Sequence, residues 1–163
     1  MPLFTAPRTG PAATVHARSP LAPDVLLPLI AEEPLPGMFT GWGPFPAVRS
    51  VEGQDGAWDA VGRTRLLQLA DGGSVRETIV EFDPGHSFAY ELTRFTDVFD
   101  RLVRGVRGEW SATPDGTGSV VRWTWEFAAR PGRRTLMALV VGPLWRVYMQ
   151  RMIRSAVRDL SRT

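Results

Sequence analysis

Between residues 119 and 129 apolar and polar side chains alternate. Val121, Trp123, Trp125 and Phe127 fall on one face, and Arg122, Thr124 and Glu126 on the other. A period of two is that of a half-buried β-strand. Residues 13–18 repeat it, with Val15 and Ala17 on one side and Thr14, His16 and Arg18 on the other. Further strands are expected over residues 47–51, 58–69, 74–82, 87–95 and 102–113. Turn-forming clusters separate them: Asp71-Gly72-Gly73, Asp83-Pro84-Gly85 and Pro114-Asp115-Gly116, with Pro131-Gly132 ending the series. Turns this short join antiparallel neighbours.

The period changes to that of a helix in two places. Residues 24–32 carry Val25, Leu26, Leu29 and Ile30, and Pro28 limits this helix to a short or bent one. A Pro- and Gly-rich loop follows over residues 34–46; it still holds Phe39, Trp42 and Phe45. At the other end Trp145, Met149, Met152, Ile153, Ala156 and Leu160 line one helix face, opposite Arg151, Arg154, Arg158 and Arg162. Gly142-Pro143 is expected to bend or break this helix in its first third. A sheet with one apolar face needs a cover, and the last helix is the element long enough to provide it. A cavity between the two is a natural result. Residues 1–11 are predicted to be a loose arm, and 12–163 a single domain.

Composition narrows the chemistry. The chain has 163 residues, 44% hydrophobic and 22% charged, as in a globular domain. Without cysteine there is no disulfide framework, thiol nucleophile or Cys-based zinc site, and two histidines do not make a His-rich metal site. No cofactor or metal is predicted. Every basic residue is arginine, so Schiff-base chemistry on lysine is excluded. The absence of Lys and Asn also points to a GC-rich genome. A net charge of +2 is no nucleic-acid footprint. The longest apolar run, residues 136–145, is half the length of a membrane span. The start of the chain lacks the apolar core of a secretory signal. A cytoplasmic protein is expected.

Several side chains could carry function. Arg65 and Glu77 lie on the two strands of the first hairpin, near neighbours across its turn; a one-residue change of register would put them on opposite faces. Together and buried they would form an ion pair able to orient a polar ligand group; outside, a surface salt bridge. Tyr90 shares an inward face with Phe88 and Leu92, so its hydroxyl needs a partner, either protein or ligand. Trp123, Trp125 and Phe127, joined by Trp110, make an aromatic wall. Trp145, Met149 and Met152 would face it from the helix. Such a wall suits an aromatic or polycyclic ligand, and equally an ordinary core. His16 is expected to face solvent, and His86 to sit in a turn.

The order of elements, with Val61-Gly62-Arg63-Thr64-Arg65, Asp71-Gly72, Arg76-Glu77, Asp83-Pro84, Phe88-Ala89-Tyr90, Gly108-Glu109-Trp110 and Val121-Arg122-Trp123-Thr124-Trp125, resembles the Bet v 1-like, START-related superfamily, and within it the bacterial polyketide cyclase/dehydrase-like branch. The resemblance runs over roughly residues 12–160. It implies an α+β helix-grip fold: a curved antiparallel sheet of six or seven strands around a long C-terminal helix, with two short helices after the first strand. Members bind lipids, hormones or polyketides, and some catalyse cyclisation or dehydration. In the related plant hormone receptors the arginine and glutamate matching Arg65 and Glu77 point into the pocket. A lysine near the position of Arg49 holds a ligand carboxylate there. Their gate-loop sequence is replaced here by Ala70-Asp71-Gly72-Gly73-Ser74.

Three readings follow. One is a binding protein for a small hydrophobic, aromatic or polyketide-like molecule. Another is a cyclase or dehydratase in which Arg65 stabilises an enolate oxygen and Glu77 or Tyr90 moves a proton. The third is a closed core, or a dimer surface built from Phe39, Trp42 and Phe45. Monomer and homodimer both stay open.

Overall fold

The computed structural model describes residues 3, 4, 8 and 10–163, so the arm expected over residues 1–11 lies largely outside the described residues. Seven strands alternate with few helices. They are β1 (Ala12–Ser19), β2 (Val48–Glu52), β3 (Thr64–Leu69), β4 (Ser74–Asp83), β5 (Ser87–Thr93), β6 (Val103–Asp115) and β7 (Gly118–Ala129). Two short helices, α1 (Pro23–Glu32) and α2 (Leu35–Met38), follow β1. A 3-10 turn spans Val98–Arg101. The chain ends in α3 (Arg134–Leu136), a π-helical turn (Met137–Val141) and α4 (Gly142–Leu160).

All neighbours in the sheet are antiparallel, in the order β1-β7-β6-β5-β4-β3-β2. This is a meander whose first strand returns beside the last. The inward side chains of each strand meet in rows. Val15, Trp123, Trp110 and Phe88 share one row, and Ala13, Trp125, Gly108 and Tyr90 the next. Arg65, Glu77, Leu92, Val106 and Phe127 share a third. α4 packs chiefly on β1. There Arg146 Nε donates to the Thr14 carbonyl and Gln150 Nε2 to the His16 carbonyl, both at 3.1 Å. Those bonds occupy acceptors that an edge strand would otherwise offer to another chain.

The structure adjusts three expectations. Only the second half of residues 58–69 is a strand, because Gly62 takes a positive φ of 90° and turns the chain just before β3. Trp58 nevertheless lies in the core, with its backbone N–H donating to Glu32 Oε1 at 2.8 Å. The turn expected at Pro114-Asp115-Gly116 begins later: strand pairing continues to Asp115, and Gly116-Thr117 reverse the chain. The last helix is neither broken nor cut at Gly142-Pro143. It widens into the π turn just before, where the Gly142 N–H bonds to the Met137 carbonyl. A Cβ on Gly142 would stand 2.8 Å from that carbonyl oxygen, and Pro143 has no N–H to lose at this point. Among the described residues no helix is long and apolar enough to cross a membrane.

Candidate functional site

Opposite the β1 side, the sheet and the helices part to leave a cavity of about 230 Å³. Strands β2 to β7, helices α1 and α2, the loop after α2, the β5–β6 connection and the start of α4 enclose it. Its lining is largely aliphatic and aromatic, and includes Ile30, Leu67, Leu69, Val75, Phe88, Leu92, Trp110, Trp123, Trp125 and Trp145. Trp110 and Trp123 stack at 4.5 Å between ring centroids, and Trp125 lies 4.2 Å from Trp145. Phe39 and Phe45 close the side under the loop. Phe45 meets Trp145 edge-on at 4.9 Å, and the loop is tied down where Gly41 N–H donates to Tyr148 Oη at 2.8 Å. The rings proposed as a dimer surface, Phe39, Trp42 and Phe45, are therefore packed against the chain's own α4.

Polar chemistry enters this wall at two places. Arg65 and Glu77 are direct cross-strand partners, 7% and 4% exposed, so both point inward. Arg65 Nε donates to Glu77 Oε2 at 2.6 Å and Arg65 Nη1 to Gln54 Oε1 at 2.9 Å. The guanidinium lies 3.8 Å from the ring centroid of Trp58, a cation–π stack that fixes its plane. Burial pushes the Glu77 carboxyl above its ordinary range, and the charge and hydrogen bond of Arg65 pull against that rise.

The second place is Tyr90. Its ring occupies the space left by the missing side chain of Gly108 on β6: a Cβ there would fall 2.1 Å from Tyr90 Cζ. Across that gap the phenol oxygen reaches β7, where Trp123 Nε1 and Trp125 Nε1 each donate to it at 2.9 Å. Burial, then the Glu77 charge, hold the phenol well above its usual pKa, so it stays protonated.

At the cavity's edge stand Asp71 and Asp97. Asp71 Oδ1 accepts the Gly73 N–H at 2.8 Å, and Asp97 Oδ1 accepts the Phe99 N–H at 3.0 Å. Two bonds tie the β3–β4 turn to the β5–β6 connection: Ser74 N–H donates to Thr96 Oγ1 at 2.8 Å, and Thr96 N–H to the Ser74 carbonyl at 3.0 Å. Burial and the neighbouring Asp71 carboxylate raise the Asp97 pKa, against the pull of the Phe99 N–H.

Of the residues singled out from the sequence, Arg65, Glu77, Tyr90, Leu92, Trp110, Trp123, Trp125 and Trp145 line the cavity together. Arg49 does not. Its neighbour Val48 is the inward side chain of β2, and a register shift between Val48 and Ser50 leaves Arg49 exposed. Met149 and Met152 are buried in the part of α4 over β1, outside the cavity lining. Phe127 is buried at the far end of its row, against Phe99 and Trp125. His16 and His86 are exposed, as expected. Trp58, Asp71 and Asp97 were not found from the sequence. Each sits in a loop, where no periodicity reports its direction. Among the described residues no three His, Cys, Asp or Glu side chains cluster so as to hold a metal ion.

Comparison with known proteins gives a consistent picture. A family model described as polyketide cyclase / dehydrase and lipid transport matches residues 11–163. Among solved structures, Ara h 8.0201 is similar at TM-score 0.68 and 17% identity, over 93% of this chain and 98% of that one. Norcoclaurine synthase from Thalictrum flavum is similar in two structures. A point mutant with a transition-state analogue has TM-score 0.69 and 15% identity, over 96% and 97% of the two chains. The complex with dopamine and hydroxybenzaldehyde has TM-score 0.63 and 14% identity, over 91% and 84%. No curated protein matches the chain.

Proposed function

The chain belongs to the polyketide cyclase / dehydrase and lipid transport family, and on that premise we propose that it binds a small aromatic or polyketide-like molecule in the cavity between sheet and C-terminal helix. The observation that carries the proposal is the cavity itself: an aromatic wall with an internally neutralised Arg65–Glu77 pair and one phenol. Apolar walls supply affinity by removing ligand surface from water, while a few placed polar groups orient it. At about 230 Å³ the space lies just under the usual range for drug-sized ligands, which favours one or two rings over a long acyl chain. The norcoclaurine synthase structure with dopamine and hydroxybenzaldehyde, both single-ring compounds, is in keeping with that size. We take the binding unit to be residues 12–163, acting in the cytoplasm as a monomer or homodimer.

A second reading, cyclase or dehydratase, is favoured by Glu77. A buried carboxylate with a raised pKa, held by an arginine inside a hydrophobic cavity, is suited to accept a proton from carbon. One experiment separates the readings. The protein is purified, weighed by native mass spectrometry, and any retained molecule identified. A panel of one- and two-ring phenols and carbonyl compounds is then incubated with it. A binder returns each bound compound unchanged; a dehydratase returns a β-hydroxy carbonyl member of the panel lighter by one water, and a cyclase returns an open-chain member as an isomer of equal mass and different retention time. If there is no adduct, and no panel member raises the melting temperature, both readings fail.

A further inference from the structure

A helix packed on a sheet is expected to turn its apolar side chains inward and its polar ones to water. The first part of the C-terminal helical segment also turns apolar side chains outward. Among the described residues nine large apolar side chains are exposed, and five of them fall between residues 136 and 147: Leu136, Leu139, Val140, Leu144 and Val147. They are 39% to 72% exposed. Residues 136, 140, 144 and 147 succeed one another at about one turn, so the five form a stripe along the outside of α3, the π turn and the start of α4. Single apolar side chains at a surface are ordinary, whereas a contiguous run of them marks an interaction surface. The stripe reaches the mouth of the cavity. Leu144 is both exposed and part of the cavity lining, and so is Val98 on the 3-10 turn.

Charge is segregated toward the same segment. All seventeen acidic residues lie outside residues 127–158, and seven arginines lie within them, a formal charge of +7. The remainder of the chain sets twelve arginines against those seventeen acids, a charge of −5. Two of the seven arginines meet carboxylates: Arg130 with Asp100 at 2.8 Å and Arg158 with Asp159 at 3.8 Å. Arg133 and Arg151, both exposed, flank the apolar stripe on either side.

We propose that this stripe is a docking surface for an anionic lipid bilayer, on which the protein rests with its cavity mouth beside the membrane. The leucines and valines enter the boundary between headgroups and acyl chains, and the flanking arginines reach lipid phosphates. The side-chain types favour lipid over a protein partner. Protein interfaces are anchored by Trp, Tyr and Arg seated in packed pockets, and the centre of this stripe is purely aliphatic. The carboxylates at the cavity's edge, Asp71 and Asp97, belong to connections between strands, so the helix makes the contact with an anionic surface. The proposal is independent of what the cavity holds.

The test is co-flotation of the full chain with vesicles of phosphatidylcholine, alone or mixed with phosphatidylglycerol. The expected result is at least about tenfold stronger partition onto the anionic vesicles, weakening as salt is raised. Leu139→Gln combined with Val140→Gln changes two exposed side chains that do not line the cavity. It should lower that partition about tenfold or more and leave the melting temperature unchanged. Arg133→Gln combined with Arg151→Gln should lower it by a similar factor at low salt. Absence of partition onto either vesicle overturns the proposal. So does an aliphatic variant that floats as well as the natural protein, since charge alone would then hold it. Sedimentation velocity without lipid covers the other occupant: a dimer that the aliphatic variant dissociates would assign the stripe to a second copy of the chain and overturn the proposal. A monomer at all concentrations, with the partition above, supports it.

Discussion

Gly108→Ala places a methyl group where Tyr90 lies. The new Cβ would be 2.1 Å from Tyr90 Cζ and 2.4 Å from both Cε2 and Oη. Carbon atoms rest at about 3.5–4.0 Å, so the ring has to retreat by more than an ångström. The two indole bonds, now 2.9 Å, do not survive such a move. Leaving two buried N–H groups unpaired costs about 1–3 kcal/mol each, and overpacking adds about 1–3 kcal/mol. With partial relaxation the expected loss is about 4 kcal/mol, a large part of the stability of a domain this size. Urea unfolding followed by far-ultraviolet circular dichroism reads this as a midpoint lowered by about 2 M, for a slope of about 2 kcal/mol/M. The control is Tyr90→Leu, which removes every atom that the methyl group strikes. In that background Gly108→Ala should cost less than about 1 kcal/mol. A loss of the same size in both backgrounds, or a negligible loss in the natural sequence, would refute the claim that Gly108 exists to seat Tyr90.

Two further outcomes follow from the charged groups. Arg65→Met leaves Glu77 buried without its counter-charge and should cost about 3–5 kcal/mol, while Arg65→Met combined with Glu77→Leu should recover most of it. A double variant as unstable as the single one would argue against the pair being desolvated. Asp97→Asn keeps an acceptor for the Phe99 N–H and removes the charge. Because the folded state raises the Asp97 pKa, that group's contribution is greatest below the unfolded pKa and is lost as pH rises through the folded one. The variant should therefore gain on the natural protein near pH 7 and match it near about pH 4. Equal differences at both pH values would remove the basis for that shift.

Much of this architecture is legible in one dimension, and the reasons are local. Val121, Trp123, Trp125 and Phe127 alternate over enough residues to make β7 unambiguous. The short turn at residues 70–74 makes Arg65 and Glu77 near neighbours, while the register that pairs them directly and turns both inward is seen only in the structure. Tyr90 is assigned inward by Phe88 and Leu92, and lies there. What stays hidden depends on elements far apart in sequence. Arg49 turns outward because β2 shifts register between Val48 and Ser50, and nothing in five residues signals a bulge. Met149 and Met152 lie on the expected helix face, but where along the sheet that face lands is set by the docking of α4 on β1. The partners of Tyr90 sit two strands away, across a glycine whose register is fixed by the whole β5-β6-β7 ladder.

The paired indoles also give the molecule optical properties that its isolated tryptophans lack. Trp110 and Trp123 are nearly parallel, at 9° between ring planes, and Trp125 and Trp145 are tilted by 34° at a still shorter separation. Transition dipoles this close do not absorb independently. Each pair shares its excitation and contributes signed bands to the near-ultraviolet dichroism, and energy taken up by one ring passes readily to the next. Emission then comes from whichever ring lies lowest in energy, not from the ring that absorbed. Both pairs line the one cavity, so a guest there perturbs them together. With Trp123 and Trp125 also only 6.2 Å apart, the four indoles form one coupled cluster, and occupancy of the cavity is expected to change the near-ultraviolet dichroism of the whole.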